Sequence, residues 1–152
     1  MPRYVIDPKR STVWFEATSS VHPIHIRSDK PEGEFSLDDG TGRLVIPVGS
    51  LRSGQLVQDL ELRRQIQARR YPTIEATLRT LDGATASGDI TFMGQTVAAS
   101  GALTITRGDN EITITGESQF DVTDFGFNPP NILGMKVHPT VTVRIELVVT
   151  AG

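Results

Sequence analysis

The sequence predicts an all-β fold: an antiparallel sheet of about eight strands rolled into a barrel, with one covering α-helix near residues 55–70. Three observations carry this. Six separate stretches alternate apolar and polar residues with a period of two, the mark of strands with one buried and one wet face. Only the stretch around residues 55–70 shows helical spacing instead. The strand-like stretches run seven to eleven residues and do not alternate with helices, which excludes a layered α/β arrangement.

Taken in order, residues 3–7 read as a short strand stopped by Pro8. Ser11–Ser19 sets Val13, Phe15 and Ala17 against Trp14, Glu16 and Thr18. Gly33–Leu37 is a short strand, followed by the turn signal Asp38-Asp39-Gly40. Gly42–Val48 then turns Leu44, Ile46 and Val48 inward. In the helical stretch, Leu56, Leu60 and the Leu62/Ile66 pair recur among Gln, Glu and Arg, which are good helix formers. Gly54 precedes that helix and Tyr71-Pro72 ends it, because a residue before proline is pushed away from helical angles.

Thr73–Leu81 sets Ile74, Ala76 and Leu78 against Glu75, Thr77 and Arg79, and Asp82-Gly83 turns the chain. Ala86–Phe92 and Thr96–Thr106 follow, hinged at Met93-Gly94-Gln95. Gly108-Asp109-Asn110 leads into Glu111–Ser118, with Ile112 and Ile114 on one face. Asp121–His138 is irregular and holds Phe125, Phe127, Pro129 and Pro130. The closing strand, Thr140–Thr150, is the clearest: Val141, Val143, Ile145, Leu147 and Val149 oppose Thr140, Thr142, Arg144 and Glu146. Strands of this length favour a barrel over a sandwich, and eight of them tilted by about 40° enclose side chains or one small ligand.

With 152 residues the chain forms one domain, residues 1–152, large enough for a real core. A formal net charge of -3 gives no electrostatic reason to expect nucleic acid, which is held by neutralising phosphates. The absence of cysteine removes disulfides, thiolate nucleophiles and zinc–thiolate sites. Neither a leader-like apolar run nor a membrane-length one is present. A soluble cytoplasmic protein is expected as the chain is written, or a periplasmic or secreted one if a leader has been trimmed.

The candidate chemistry is sparse. Asp124-Phe125-Gly126 matches the kinase metal-binding triplet, but a glycine-rich phosphate loop and an HRD segment are missing. His22 and His25 lie three apart and His138 is distant; in extended backbone, i and i+3 point to opposite faces and do not converge on zinc. No metal site, catalytic group or cofactor is expected on these grounds. Arg63, Arg64, Arg69 and Arg70 read most simply as a solvated helix face with favourable charge near its C-terminus, diluted by Asp59 and Glu61. At most a transient contact with anionic headgroups is expected there.

The order of short motifs is more specific than any one of them. The chain reads Tyr4-Val5-Ile6-Asp7-Pro8, Ser11-x-Val13-x-Phe15, Gly33-x-Phe35, Ser50-Leu51-x-x-Gly54, Asp59-x-x-Leu62 and Tyr71-Pro72. It continues with Gly88-Asp89-Ile90-Thr91-x-x-Gly94-x-Thr96, Asp124-Phe125-Gly126 and Val137-x-x-x-Val141-x-Val143-x-Ile145. This succession resembles the YceI-like family, the bacterial polyisoprenoid-binding proteins, along almost the whole chain. The resemblance implies a lipocalin-like antiparallel barrel whose elongated apolar interior binds an isoprenoid chain, in some members an isoprenoid quinone. Two positions depart from the family's habit, Val122 and Gln58 standing where arginine is common.

The function expected is therefore binding or carriage of a long apolar lipid, without catalysis. The expected wall is Phe15, Phe35, Leu44, Ile46, Ile74, Leu78, Ile90, Phe92, Leu103, Ile105, Val141, Val143 and Ile145. Leu60 and Ile66 on the helix, with Phe125 and Phe127 on the irregular segment, are expected at the mouth. Strands of about nine residues give a barrel roughly 20–25 Å tall. Moving about 300 Å² of apolar ligand out of water contributes on the order of 7 kcal/mol before association costs.

Packed cores and apolar pockets use the same residues, so two other readings stay open. One is a solid-cored barrel acting as a stress-related interaction module, with Trp14 as an exposed anchor. The other is an enzyme using His22 or His138 on an apolar substrate. An open strand edge at Gly33–Leu37 would allow a homodimer.

Overall fold

The computed structural model describes residues 3–20, 23–36, 38–82, 84–127, 131–132 and 135–151. Its strands are β1 (Tyr4–Ile6), β2 (Thr12–Ser19), β3 (Ile24–Ser28), β4 (Glu32–Ser36), β5 (Thr41–Pro47), β6 (Thr73–Asp82), β7 (Thr85–Phe92), β8 (Gln95–Arg107), β9 (Glu111–Asp121), β10 (Asn131–Ile132) and β11 (Met135–Ala151). One helix, α1 (Leu56–Ile66), lies between β5 and β6. Every pairing is antiparallel, and β1 pairs with both β4 and β11, so the path β1-β4-β5-β6-β7-β8-β9-β11 closes into an eight-stranded barrel.

The first two ribs are each built from two strands. β1 and β2 both run along β11, pairing Ile6 with Val149 and Val13 with Ile145, while Pro8–Arg10 form a single 3-10 turn between them. Asp7 makes that interruption stable. Its N–H stays in register by donating to Val148 O at 2.8 Å, and its carboxylate accepts from Lys9 N and from Arg10 Nε at 2.9 Å. β3 and β4 form the matching broken rib, β3 against β2 and β4 against β1.

The two ends of the barrel differ. At one end the chain passes between strands through short turns at residues 38–40 and 108–110 and near Asp82. The other end carries the long excursions: α1, the Val122–Phe125 3-10 turn and β10. Near the short-turn end the interior is solid. Ile6, Val13, Phe35, Ile112, Ile114, Leu147 and Val149 are buried there as one cluster. Phe35 fits because Gly42, its partner across β4 and β5, has no side chain; a Cβ there would overlap the Phe35 ring.

Three local expectations are corrected. The helix ends at Ile66, short of Tyr71-Pro72, because Gln67 turns into the left-handed region (φ 61°) and its N–H caps Arg63 O and Arg64 O. β4 is no free edge, since β1 and β5 flank it; Leu37 lies outside the described residues. Trp14, half-buried on the outer wall, has the Arg144 guanidinium 5.1 Å from its ring centre. β3 is added to the expected strands: Ile24 and Ile26 alternate with His25 and Arg27, over only five residues.

α1 also presents an unexpected face. Ser53 N donates to Asp59 Oδ1 at 2.8 Å and Arg63 Nη2 donates to Leu51 O at 3.2 Å, so the loop before the helix is held by charged side chains. Gln58, Asp59 and Ile66 are buried as a result, while Leu56, Val57 and Leu60 are 70%, 62% and 53% exposed.

Candidate functional site: an apolar cavity in the upper barrel

Above the solid core the barrel is hollow, with a cavity of about 320 Å³. Register fixes which side chains face it. From the pairs Ile46–Ile74, Ala76–Ile90, Gly88–Ala99, Leu103–Gly116, Ser118–Val143 and Val143–Phe15, one inward set runs around the ring. Phe35, Leu44 and Ile114 form the floor, shared with the core. Leu51, Leu62, Ile66, Val122, Phe125 and Phe127 close in from the excursions at the other end.

The hollow exists because several inward positions are small. Ala17, Ala76, Ala86, Gly88, Ala99, Gly101, Gly116 and Ser118 all line it. Between large residues the alanines, Gly101 and Ser118 leave unfilled space where a solid barrel would carry branched side chains, whereas Gly88 lets the Thr77 carbonyl approach. Gly101 is the clearest case: a Cβ there would meet nothing nearer than 3.6 Å. Gly116 has the opposite role, since a Cβ would lie 2.6 Å from Leu103 Cδ2. One glycine borders open space and the other makes room for a neighbour.

The lining is almost wholly carbon. Ser118 Oγ donates to Ser100 O at 3.4 Å, so its hydroxyl is turned back to the wall. Phe92 stands edge-on to Phe125 and Phe127, with ring centres 5.8 and 5.5 Å apart, which anchors the Val122–Phe127 segment over the cavity.

Of the residues expected at the wall or mouth, Phe15, Phe35, Leu44, Ile46, Ile66, Ile74, Leu78, Ile90, Phe92, Leu103, Phe125, Phe127, Val141, Val143 and Ile145 line the cavity. Two do not. Ile105, paired with the buried Ile114, packs against the solid core below it. Leu60 points outward, and Leu62 takes the helix's place at the wall. Sequence reasoning passed over Val13, Ile24, Ile26, Leu51 and Val137, along with the small residues. Their signal was present: Ala76, Ala99 and Gly101 occupy inward positions of long strands where size is the only reason to be small. The core closes the lower end, so the hollow does not run the full height of the barrel.

Of the charged residues that border this space, Asp89 pairs with Arg79 at 3.0 Å and Glu117 is exposed. His138 Nδ1 sits 2.7 Å from Thr18 Oγ1 at the rim, and His25 is on the exterior 3.8 Å from Glu16. His22 lies outside the described residues. Among the described residues no three His, Asp or Glu side chains gather as metal ligands would. The displaced carboxylates belong to surface pairs. The Arg10 hydrogen bond holds Asp7 below its ordinary value, Arg64 does the same for Glu61, and Thr123 for Asp121. The Asp124-Phe125-Gly126 triplet uses its glycine (φ 76°) to end a 3-10 turn and its phenylalanine to cover the cavity.

The family model of the YceI-like domain matches residues 4–149. Solved structures share the fold at low sequence identity. A polyisoprenoid binding domain from Saccharophagus degradans, implicated in plant cell wall breakdown, superposes with a TM-score of 0.86 at 19% identity, covering 98% of each chain. BcnA of Burkholderia cenocepacia gives 0.80 at 16% identity, covering 94% of this chain and 98% of its own. The YceI protein of Campylobacter jejuni gives 0.60 at 15% identity over 81% of both chains. No curated protein matches the chain in sequence.

Proposed function

The chain belongs to the YceI-like family, and on that premise we propose that it binds the tail of an isoprenoid lipid in the upper barrel and carries it without chemical change. The observation that carries this reading is a cavity of about 320 Å³ bounded by carbon, inside a closed sheet. That is roughly twice the ~150 Å³ void that admits one benzene, so about a dozen carbon atoms fit. A prenyl chain of that length, or the end of a longer one, is the ligand class. Burial of apolar area supplies the affinity, and the depth to the Phe35 and Ile114 floor sets how much chain enters. A free isoprenoid alcohol and a prenylated quinone present the same tail.

Three measurements test it. Mass spectrometry of an organic extract of natively purified protein should recover a prenylated compound. Titration with isoprenoid alcohols of increasing length should show affinity rising to about a dozen carbons and then levelling. Ile145→Trp, which places a large ring among Val143, Gly116 and Leu103, should abolish uptake while the variant stays folded. A folded Ile145→Trp variant with undiminished uptake would overturn the reading.

A further inference from the structure

We propose that the outer face of α1 is a docking site for an anionic phospholipid bilayer, which sets the cavity against the membrane that supplies its guest. The inference rests on the lipid-tail reading of the cavity for its purpose, but its evidence is separate. Leu56, Val57 and Leu60 are 70%, 62% and 53% exposed on one short helix, on the opposite side from Leu62 and Ile66, which line the cavity. One helix is thus both the wall of the cavity and an unpartnered apolar surface beside it.

Charge selects the occupant. The segment from Arg52 to Arg70 carries five arginines, Arg52, Arg63, Arg64, Arg69 and Arg70, in a chain of net charge -3. Arg52, Arg64, Arg69 and Arg70 are exposed. Of its two carboxylates, Asp59 is buried against Ser53, and Glu61 is engaged by Arg64 and Gln65. Asp38, Asp39, Asp82 and Asp109 sit at the far end of the barrel, while Asp121 ends β9 and Asp124 follows it, and β9 is not a neighbour of β5 or β6, the strands that α1 joins. Leucine and valine flanked by arginine is the composition that enters the boundary between anionic headgroups and acyl chains. An apolar protein partner would be matched by the three side chains but not by the cations.

Sedimentation with vesicles tests this on the full chain. Vesicles of phosphatidylcholine and phosphatidylglycerol should carry the protein down, and phosphatidylcholine alone should not. Leu56→Gln with Leu60→Gln, both at exposed positions, should abolish sedimentation without changing the melting midpoint. Arg69→Gln with Arg70→Gln should weaken it by roughly tenfold or more, at about 1 kcal/mol per basic residue. Uptake of isoprenoid from detergent, measured on the same variants, should be unaltered. Unchanged sedimentation of the leucine variant would overturn the proposal. So would a wild-type dimer that the leucine substitutions convert to monomer, because the face would then be self-covering. Vesicle binding that persists where Ile145→Trp and extraction show no ligand would support docking and overturn only the cavity reading.

Discussion

The ring of Phe92 meets the ring of Phe127 edge-on, with centres 5.5 Å apart and planes at 76°. Phe92 belongs to β7 and Phe127 to the segment after β9, so this contact ties a loop to a rigid wall across the top of the cavity. Phe127 is only 8% exposed. Its truncation to alanine should lower stability by about 3 kcal/mol and, more tellingly, speed ligand release. Stopped-flow displacement of a fluorescent prenyl probe would check this; an unchanged off-rate in the folded variant would mean that the segment does not gate the cavity.

Gly101 and Gly116 should respond oppositely to an added side chain. Gly101→Leu grows into open space, so it should weaken lipid binding at least tenfold while leaving the melting midpoint unchanged or slightly raised. Gly116→Ala drives a Cβ toward Leu103 and should cost about 1–3 kcal/mol. Calorimetry of the two variants, paired with a binding titration, separates the roles. A destabilised Gly101→Leu protein would show that the hollow cannot accept a larger wall.

Asp59 holds the loop before α1 through Ser53. Asp59→Ala leaves the half-buried Ser53 N–H without its acceptor and should cost about 1–3 kcal/mol. Hydrogen exchange should then rise in residues 50–60 before it rises in β9 or β11. Uniform exchange throughout would show that the helix is held by Leu62 and Ile66 alone.

Acid should weaken the fold through its paired carboxylates. Asp7, Glu61 and Asp121 are held below their ordinary values by Arg10, Arg64 and Thr123, so the unfolded chain takes up protons first as pH falls. Their contribution is complete above the ordinary carboxylate range, near pH 4, and fades as pH drops through the lower folded values. Urea midpoints measured from neutral pH downward should fall below about pH 4, and Asp7→Asn should make that fall shallower. An identical acid limb in Asp7→Asn would remove the Asp7–Arg10 pair from the account.

Alternation read most of the barrel correctly because each long strand has one wet face; β11 is the plainest instance, with Val141 to Val149 inside and Thr140 to Glu146 outside. It passed over one strand whose alternation is too short to stand out. β3 is five residues long, and its Ile24 and Ile26 are set by Ala17 and Phe15 of β2. The helix was legible, but its orientation was not. Leucines lie on both sides of it, and buried Asp59 and Gln58 decide which side turns in. The wall was legible as a set of apolar positions. Whether it enclosed a core or a void depended on the small residues between them and on Phe35 filling the place left by Gly42.

The division of the barrel into a filled lower storey and an empty upper one separates two kinds of position. Residues such as Leu147 and Ile114 anchor the fold, whereas Ile90, Val141 and Gly101 border the hollow outside the buried cluster. Substitutions at the upper positions should therefore resize the hollow, one side chain at a time, while the foundation beneath stays fixed.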